Sequence, residues 1–306
     1  MNTKQTEIQI IDLAKDLGAF SLVITKNEKN VIEYGDTKDT FNIASIRKCL
    51  LSVLYGIAVE KGIINLSATL EQLGIDDNPP SLTSEEKQAT IEDLLTLKSG
   101  IYHFANYETF STKNNRPTRG SHSHGTYWYY NNWDANVLGT IYKKLVGHDI
   151  FQDFKILIAD RIGMEDFQIE KCEYKNPDEN SIHPAYIFRI SPRDLSKFIQ
   201  LYLNNGLYKE QQIVPMGWIK RSLQPYSITP NGNGFGYMWE VATDGKLYGV
   251  ELGNSTFSYS GYPGHYIVGV PELNMTITYA HTLDLPGKET LSSEKFSQLL
   301  RLVKQL

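Results

Sequence analysis

The chain has 306 residues, of which 41% are hydrophobic and 21% charged, a composition typical of a soluble globular protein. This length suits one large domain or two interleaved ones. Thirty Lys and Arg residues against 35 Asp and Glu residues give a net charge of -5. The chain therefore lacks the excess of basic residues that would indicate a nucleic-acid partner.

The N-terminal segment, residues 1–18, is predicted to form an amphipathic helix because charged side chains interrupt it at intervals. It lacks the unbroken apolar core of a signal peptide, and the longest apolar run, near residues 50–59, is too short to span a bilayer. These features predict a cytoplasmic protein with no membrane partner. The two cysteines, Cys49 and Cys172, are too few for a disulfide framework and are predicted to be free thiols.

The order of the predicted elements indicates the fold class. Two apolar segments around a polar turn predict a β-hairpin at residues 20–25 and 31–34. Later segments are predicted as helices at residues 70–73, 91–97, 135–146 and 192–203, strands at 237–241, 247–250, 257–260, 266–270 and 275–280, and a last helix at 293–305. This order predicts an α+β fold in which residues 1–64 and 210–306 build one antiparallel β-sheet flanked by helices. Residues 65–209 would form an inserted all-helical domain, with the active site in the cleft between the two.

Ser45 and Lys48 are three residues apart at the start of an apolar segment, so a helix would place them on one face. Burial would disfavour the ammonium form of the lysine and let it accept a proton. Two roles fit Ser45 on this evidence: a nucleophile or a plain helix N-cap. Ser84 and Ser292 also precede a lysine by three residues, but on polar, glutamate-containing segments, and both are predicted to start helices. Cys49, as an alternative nucleophile, has no histidine nearby in sequence.

The aromatic stretch of residues 127–133 contains Tyr130-Asn131-Asn132. A tyrosine there would relay a proton if nearby positive charge lowered its pKa. The same Tyr-x-Asn pattern also begins at Tyr129, Tyr174 and Tyr202. The stretch is equally compatible with a wall of the core or a lid.

The late strands contain Tyr259-Ser260-Gly261-Tyr262-Pro263-Gly264. Glycine within a strand often marks a close approach of the backbone to a ligand or to another segment. A backbone N–H near Gly261 could therefore point at a substrate carbonyl oxygen, or the segment is a simple turn between two strands.

Taken together, these three motifs resemble those of the serine β-lactamase and penicillin-binding protein superfamily, in particular its class C and esterase or amidohydrolase branch. Residues 91–100 are similar to the family's TIxxLLTxxSG helix, residues 190–195 to its MSxxDLA helix start and residues 234–239 to its GYGYxWW strand. Family members carry a glycine seven residues after the asparagine, and Gly139 follows Asn132 by seven, which selects Tyr130 over Tyr129. Pro271 follows Gly261 by ten residues, as in the family's third motif.

The resemblance implies an acyl-enzyme mechanism without a metal or cofactor. Ser45 would attack a carbonyl carbon, Lys48 and Tyr130 would share removal of its proton, and Asn132 would hold Lys48. Lys48 would help to keep the Tyr130 phenol anionic or poised. The backbone N–H groups of Ser45 and Tyr262 would form the oxyanion hole.

The third motif departs from the family pattern, because Tyr259 stands where β-lactamases and transpeptidases carry Lys or His. Esterases and amidohydrolases resemble this chain in having a second glycine, here Gly264, followed here by His265 where they have Gln. The implied substrate is a small ester or amide. Its predicted binding residues are aromatic residues together with the third motif: Trp128, Tyr237, Trp239, Tyr259, Ser260, Gly261, Tyr262 and His265.

Two alternatives keep the same residues: transfer of the acyl group to another acceptor, and a sensor that stops at the acyl-enzyme. A metal site at His122-Ser123-His124 is disfavoured, because no metallohydrolase ligand pattern accompanies these histidines.

Overall fold

The computed structural model describes residues 3–175 and 181–306. Its helices are α1 (Thr3–Asp16), α2 (Arg47–Glu60), α3 (Ile91–Leu95), α4 (Phe110–Asn114), α5 (Trp133–Val146), α6 (Ile150–Phe154), α7 (Pro192–Leu203), α8 (Met216–Ser222) and α9 (Ser293–Val303). Its strands are β1 (Ala19–Lys26), β2 (Lys29–Gly35), β3 (Phe41–Asn42), β4 (Glu173–Lys175), β5 (Ala185–Ile187), β6 (Arg189–Ile190), β7 (Leu207–Tyr208), β8 (Gln211–Gln212), β9 (Ser227–Ile228), β10 (Gly234–Phe235), β11 (Glu240–Val241), β12 (Lys246–Leu247), β13 (Val250–Glu251), β14 (Phe257–Gly261), β15 (His265–Val270) and β16 (Met275–His281).

The main sheet joins the two ends of the chain, as the sequence predicted. Its strand order is β2-β1-β16-β15-β14-β11-β10-β9, with every neighbouring pair antiparallel. Alternating side chains along β15 divide between two cores, because Ile267 joins one and Tyr266 and Val268 join the other. Helices α1 and α9 pack together on one face of the sheet, and α7 packs on β1, β15 and β16. The boundaries of the predicted inserted domain remain a prediction.

Helix α2 is buried over most of its length, with every residue from Arg47 to Ala58 in the interior. It contacts α5, α6 and α8 and lies in the larger core. The short strand β3 precedes it and pairs with β6, which ties this region to the start of α7. The helix therefore supplies a rigid base for residues at its N-terminus.

Several predicted elements differ in the structure. Residues 70–74 form a turn and not a helix. The predicted strand at 237–241 is reduced to Glu240–Val241, because Met238 adopts a positive φ of 60° and donates its N–H to the carbonyl of Leu95. Residues 247–250 form the end of a hairpin, since Tyr248 and Gly249 both have positive φ, as a two-residue turn requires.

The predicted N-terminal helix begins at Thr3, and residues 1–2 lie outside the described residues. The predicted hairpin, α7 and the last helix are confirmed to within a few residues. Within residues 3–175 and 181–306, none of the helices combines the length and apolarity that a bilayer crossing needs. Cys49 and Cys172 are free thiols.

Candidate active site

Ser45 lies in a tight turn that leads directly into α2. The residue before it, Ala44, adopts a left-handed conformation with φ of 49°, which an L-residue rarely occupies. The Ala44 N–H donates to the side chain of Asn42 at 2.9 Å, which helps to hold this backbone. Ser45 itself is only partly buried, so its hydroxyl is accessible from the cleft that it lines.

Two neighbouring side chains and one from a distant part of the chain meet at this turn. The distance from Lys48 Nζ is 3.0 Å to Ser45 Oγ and 2.9 Å to Tyr130 Oη, and the Tyr130 and Ser45 oxygens are 2.5 Å apart. Each group is thus within hydrogen-bonding distance of the other two. The three atoms form a closed ring through which a proton can pass.

Asn132 fixes the position of the lysine from the N-terminus of α5. Its Oδ1 accepts a hydrogen bond from Lys48 Nζ at 2.7 Å, and its Nδ2 donates to the carbonyl of Tyr107. Asn132 is the N-cap residue of the helix and is buried. The short segment from Tyr130 to Asn132 therefore brings both a phenol and an amide to Lys48.

The other copies of the tyrosine motif lie elsewhere. Tyr129 donates its hydroxyl to the carbonyl of Thr112 and does not reach Lys48. Tyr202 packs against Trp239 in the core, and Tyr174 donates to Asp149. The third residue of the Tyr174 motif, Asn176, lies outside the described residues.

The other two Ser-x-x-Lys segments are at ordinary polar sites. Ser292 caps α9 by accepting from the N–H of Lys295, as predicted. The prediction that Ser84 starts a helix is wrong, because the neighbouring Thr83 hydroxyl accepts from the N–H of Glu86 instead. Lys87 forms an ion pair with Asp76.

The environment of Lys48 favours the neutral amine. Its side chain is fully buried, and loss of water around the ammonium group lowers the pKa of Lys48 well below its usual value. The neighbouring guanidinium of Arg47 lowers this pKa further. Arg47 is also buried, with its Cζ 4.2 Å from the centre of the Tyr186 ring and Nη2 donating to Asn136.

Of the two states expected for Tyr130, anionic or poised, the structure disfavours the anionic one in the unliganded protein. Burial raises the pKa of Tyr130 above its usual value, and its hydrogen bond with Ser45 and the charge of Arg47 offset this only in part. Burial of Lys48 likewise disfavours its ammonium form, which weakens the support that the lysine could give to a phenolate. Burial therefore favours the neutral forms of both the amine and the phenol.

These protonation states define one consistent hydrogen-bond pattern. A neutral amine has two N–H donors and one lone pair, so Lys48 can donate to Asn132 and to Tyr130 Oη while accepting from Ser45. The Tyr130 hydroxyl then donates to Ser45 Oγ. In this pattern every group in the ring has a partner, and the Ser45 hydroxyl would donate its proton to the lysine nitrogen 3.0 Å away.

Gly261 lets the end of β14 approach the Ser45 turn closely. A Cβ atom at this position would lie 2.6 Å from the carbonyl oxygen of Ile43 and 3.4 Å from the backbone nitrogen of Ser45. Only glycine fits this contact without moving the backbone. Tyr262 is the next residue along, so its backbone lies beside the same turn.

The cleft in front of Ser45 has a volume of about 1120 Å³. Tyr262, which is 56% exposed, stands at its rim. His265 lies in its wall, and Nδ1 of this ring accepts a hydrogen bond from the N–H of His281. Burial lowers the pKa of His265 to about 3, so the ring is neutral and its Nε2 carries the proton.

The remaining predicted wall residues fall into two groups. Tyr237 and Trp239 are fully buried and pack among aromatic core residues, so the structure does not bring them to the cleft. Trp128, Tyr259 and Ser260 line a second, smaller cavity, which shares Tyr130 with the main cleft. The predicted aromatic wall is thus divided between the core and this cavity.

His122 and His124 line a separate surface cavity together with Glu86 and Arg119. His122 stacks on Tyr127, and His124 contacts Asp93. Among the described residues, no group of three or more His, Cys, Asp and Glu side chains could hold a metal ion.

Sequence reasoning missed two contributors to this site. The backbone conformation of Ala44 has no signal in the sequence, because alanine is not a residue that favours left-handed turns. Arg47 is visible within the first motif, but its burial beside Lys48 depends on Tyr186 and Asn136, which are far along the chain.

Comparison with known proteins agrees with this architecture. The family model described as Beta-lactamase matches residues 10–297. A class C β-lactamase in complex with cefoxitin superposes with a TM-score of 0.73 at 16% identity, covering 100% of both chains. A Bacillus anthracis protein assigned as a 6-aminohexanoate-dimer hydrolase superposes with a TM-score of 0.72 at 18% sequence identity, covering 96% of this chain and 80% of that one. EstCE1, a hydrolase with promiscuous acyltransferase activity, superposes with a TM-score of 0.68 at 14% sequence identity, covering 98% of each chain. These similarities extend over nearly the whole sequence and fold, and the chain belongs to the β-lactamase family.

Proposed function

We propose that this protein is a serine hydrolase that cleaves a small carboxylic ester or amide through an acyl-enzyme on Ser45, without a metal or organic cofactor. The observation that carries the proposal is the closed hydrogen-bond ring of Ser45, Lys48 and Tyr130. A single hydroxyl or amine in the protein interior can be explained by a structural role such as helix capping. A nucleophile, a neutral base and a phenol joined at an accessible cleft are what nucleophilic catalysis requires.

In the acylation step, Ser45 Oγ attacks the substrate carbonyl carbon while its proton passes to the neutral amine of Lys48. Tyr130 then gives its own proton to the leaving oxygen or nitrogen and regains one from the Lys48 ammonium. The acyl group stays on Ser45, and the alcohol or amine departs. The enzyme returns to its original protonation state, so the step balances.

In the deacylation step, the same groups act on water. Lys48 and Tyr130 remove a proton from the attacking water molecule, and the proton returns to Ser45 Oγ when the ester bond breaks. The carboxylic acid is released.

The negative charge of the tetrahedral intermediate would be held by the backbone N–H groups of Ser45 and Tyr262. Support comes from Gly261, whose missing side chain allows the two backbones to lie side by side. Loss of one such donor typically lowers kcat by about a hundredfold to a thousandfold.

The charge of the cleft favours a substrate without a carboxylate near the reacting carbonyl. Among the described residues that line the cleft there is no lysine or arginine, and the acidic ones are Glu108 and Asp284. His265 is neutral, and Tyr259 is a buried neutral phenol. A β-lactam or peptide carboxylate would find no cation here, which favours simple esters and linear amides.

The proposal is tested with a panel of p-nitrophenyl esters, nitrocefin and D-amino-acid amides, combined with time-resolved intact mass. We expect ester hydrolysis with a transient adduct on Ser45, and neither in Ser45→Ala. A persistent adduct would indicate a sensor, and acceptor-dependent product would indicate a transferase.

The tyrosine pair supplies a matched control. We expect Tyr130→Phe to lose several orders of magnitude in kcat, whereas Tyr129→Phe removes only a hydrogen bond to Thr112 and should keep most of the activity. Equal effects of the two variants, or normal turnover in Ser45→Ala, would contradict the mechanism.

A further inference from the structure

A second cavity, of about 320 Å³, lies against Tyr130 and is distinct from the main cleft. Its walls include Trp128, Phe235, Tyr259 and Glu240. The volume is at the lower limit of ligand pockets and suits one substituent and not a whole substrate. Tyr130 borders both spaces, so the cavity lies next to the reacting groups at Ser45.

Three aromatic rings make contact around the cavity. The ring centres of Trp128 and Phe235 are 5.5 Å apart with the planes 60° apart, and those of Phe235 and Tyr259 are 6.3 Å apart at 59°. Non-parallel rings of this kind can offer more than one aromatic face to the same cavity. Such faces attract a cation, most strongly when it is removed from water.

Glu240 adds a carboxylate to the same wall. It accepts a hydrogen bond from Asn233 Nδ2 at 2.7 Å, and burial raises the pKa of this carboxyl above its usual value. Within the part of the chain that the structure describes, it forms no ion pair. The observed hydrogen-bond donor to this carboxyl is neutral, so a cation that enters beside it would favour its ionised form and pair with it.

We propose, on the basis of the function proposed above, that this cavity is a subsite for an alkylammonium group in the alcohol or amine portion of the substrate. Aromatic faces with one unpaired carboxylate provide the chemistry that binds an ammonium ion and offer little to an anion. The leaving portion is the part that reaches the cavity, because Tyr130 is the group that hands its proton to the leaving atom. The larger cleft then accommodates the acyl portion.

The experiment compares two isosteric esters, butyrylcholine and 3,3-dimethylbutyl butyrate, which differ in the positive charge of the alcohol portion. We expect kcat/KM for the choline ester to exceed that for the neutral ester at least tenfold, after correction for their rates of alkaline hydrolysis. Glu240→Gln should abolish this preference while leaving the neutral ester within about twofold. The Gln side chain keeps an acceptor for Asn233, so the fold is retained. Glu294→Gln, at an exposed position on α9, makes the same change in net charge and should keep the preference.

A binding measurement separates this inference from the proposed function. Tetramethylammonium is titrated calorimetrically into Ser45→Ala and into Ser45→Ala/Glu240→Gln. Saturable binding that weakens at least tenfold in the double variant supports the subsite even if neither ester is hydrolysed, an outcome that would count against the proposed function alone. Absence of binding to Ser45→Ala, or an ester preference unchanged by Glu240→Gln, would overturn the subsite.

Discussion

Asp134 provides a quantitative test of how the N-terminal end of α5 is built, because it is a buried carboxyl two residues after Asn132. It is fully buried, and its Oδ1 accepts from the Ser99 hydroxyl at 2.7 Å. Its Oδ2 has no partner among the described residues. Burial raises the pKa of Asp134 from 3.8 to about 7, even though the hydrogen bonds from Ser99 and Asn131 act in the opposite direction.

The sign of the effect follows from proton binding. Between pH 3.8 and about 7 the folded protein keeps the Asp134 proton and the unfolded chain releases it, so rising pH destabilises the folded state across this window. Below this pH window the carboxyl does not lower the free energy of unfolding. Above the window it lowers that free energy by its full amount, which no longer changes with pH. At 1.36 kcal/mol per pKa unit, the full loss in the free energy of unfolding is about 4 kcal/mol.

Asp134→Asn imitates the protonated carboxyl and does not titrate. We expect the difference in unfolding free energy between this variant and the wild type to grow in the variant's favour by about 2 to 3 kcal/mol between pH 5 and pH 7.5. Urea unfolding monitored by tryptophan fluorescence measures the unfolding free energy of each protein at each pH. The contributions of the other titrating groups cancel in the difference between variant and wild type.

Asp12→Asn is the matched control, because it makes the same change at a largely exposed side chain on α1, and it should not reproduce the rise expected for Asp134→Asn. A flat difference for Asp134→Asn, or one that falls as pH rises, would refute the reasoning.

Two further substitutions test the candidate site directly. Gly261→Ala should lower kcat by about a hundredfold or more, because the new Cβ displaces the carbonyl of Ile43 and with it the proposed oxyanion donors. Gly217→Ala, where a Cβ meets no atom within 4 Å, should leave kcat unchanged, and equal losses would contradict the role of the close approach. Arg47→Met should move the acidic limb of the pH–rate profile to higher pH, because removing the adjacent charge raises the pKa of Lys48. Arg47→Lys, which keeps the charge, should shift the limb less, and an unmoved limb in Arg47→Met would show that Arg47 does not influence the base.

The sequence predicted the elements whose information is local. The hairpin of β1 and β2, α7 and the last helix follow from apolar periodicity and turn residues. The meeting of Ser45, Lys48 and Tyr130 was implied by the resemblance of the motifs to the family pattern, and the seven-residue distance between Asn132 and Gly139 selected the tyrosine that the structure places beside Lys48.

The predictions that were wrong depended on distant contacts. Met238 leaves the strand conformation because its N–H bonds to Leu95, which lies more than a hundred residues earlier. The aromatic character of Tyr237 and Trp239 predicted that they line the substrate cleft, but both are buried in the hydrophobic core. The direction in which the pKa of Tyr130 shifts also required the structure, because it depends first on how deeply the phenol is buried.

The pair Arg47 and Lys48 explains why the ring carries a neutral base. Two adjacent basic residues are buried at the N-terminal end of α2, where the helix dipole already disfavours positive charge. Arginine keeps its proton under almost all conditions, and here the Tyr186 ring and the Asn136 amide surround its guanidinium. Lysine loses its proton much more readily when buried, so the unfavourable pairing lowers the pKa of Lys48 and not that of the arginine. Asn132 places this amine beside the Ser45 hydroxyl, and the burial of Lys48, with a smaller contribution from the Arg47 charge, favours a free amine that can accept the serine proton.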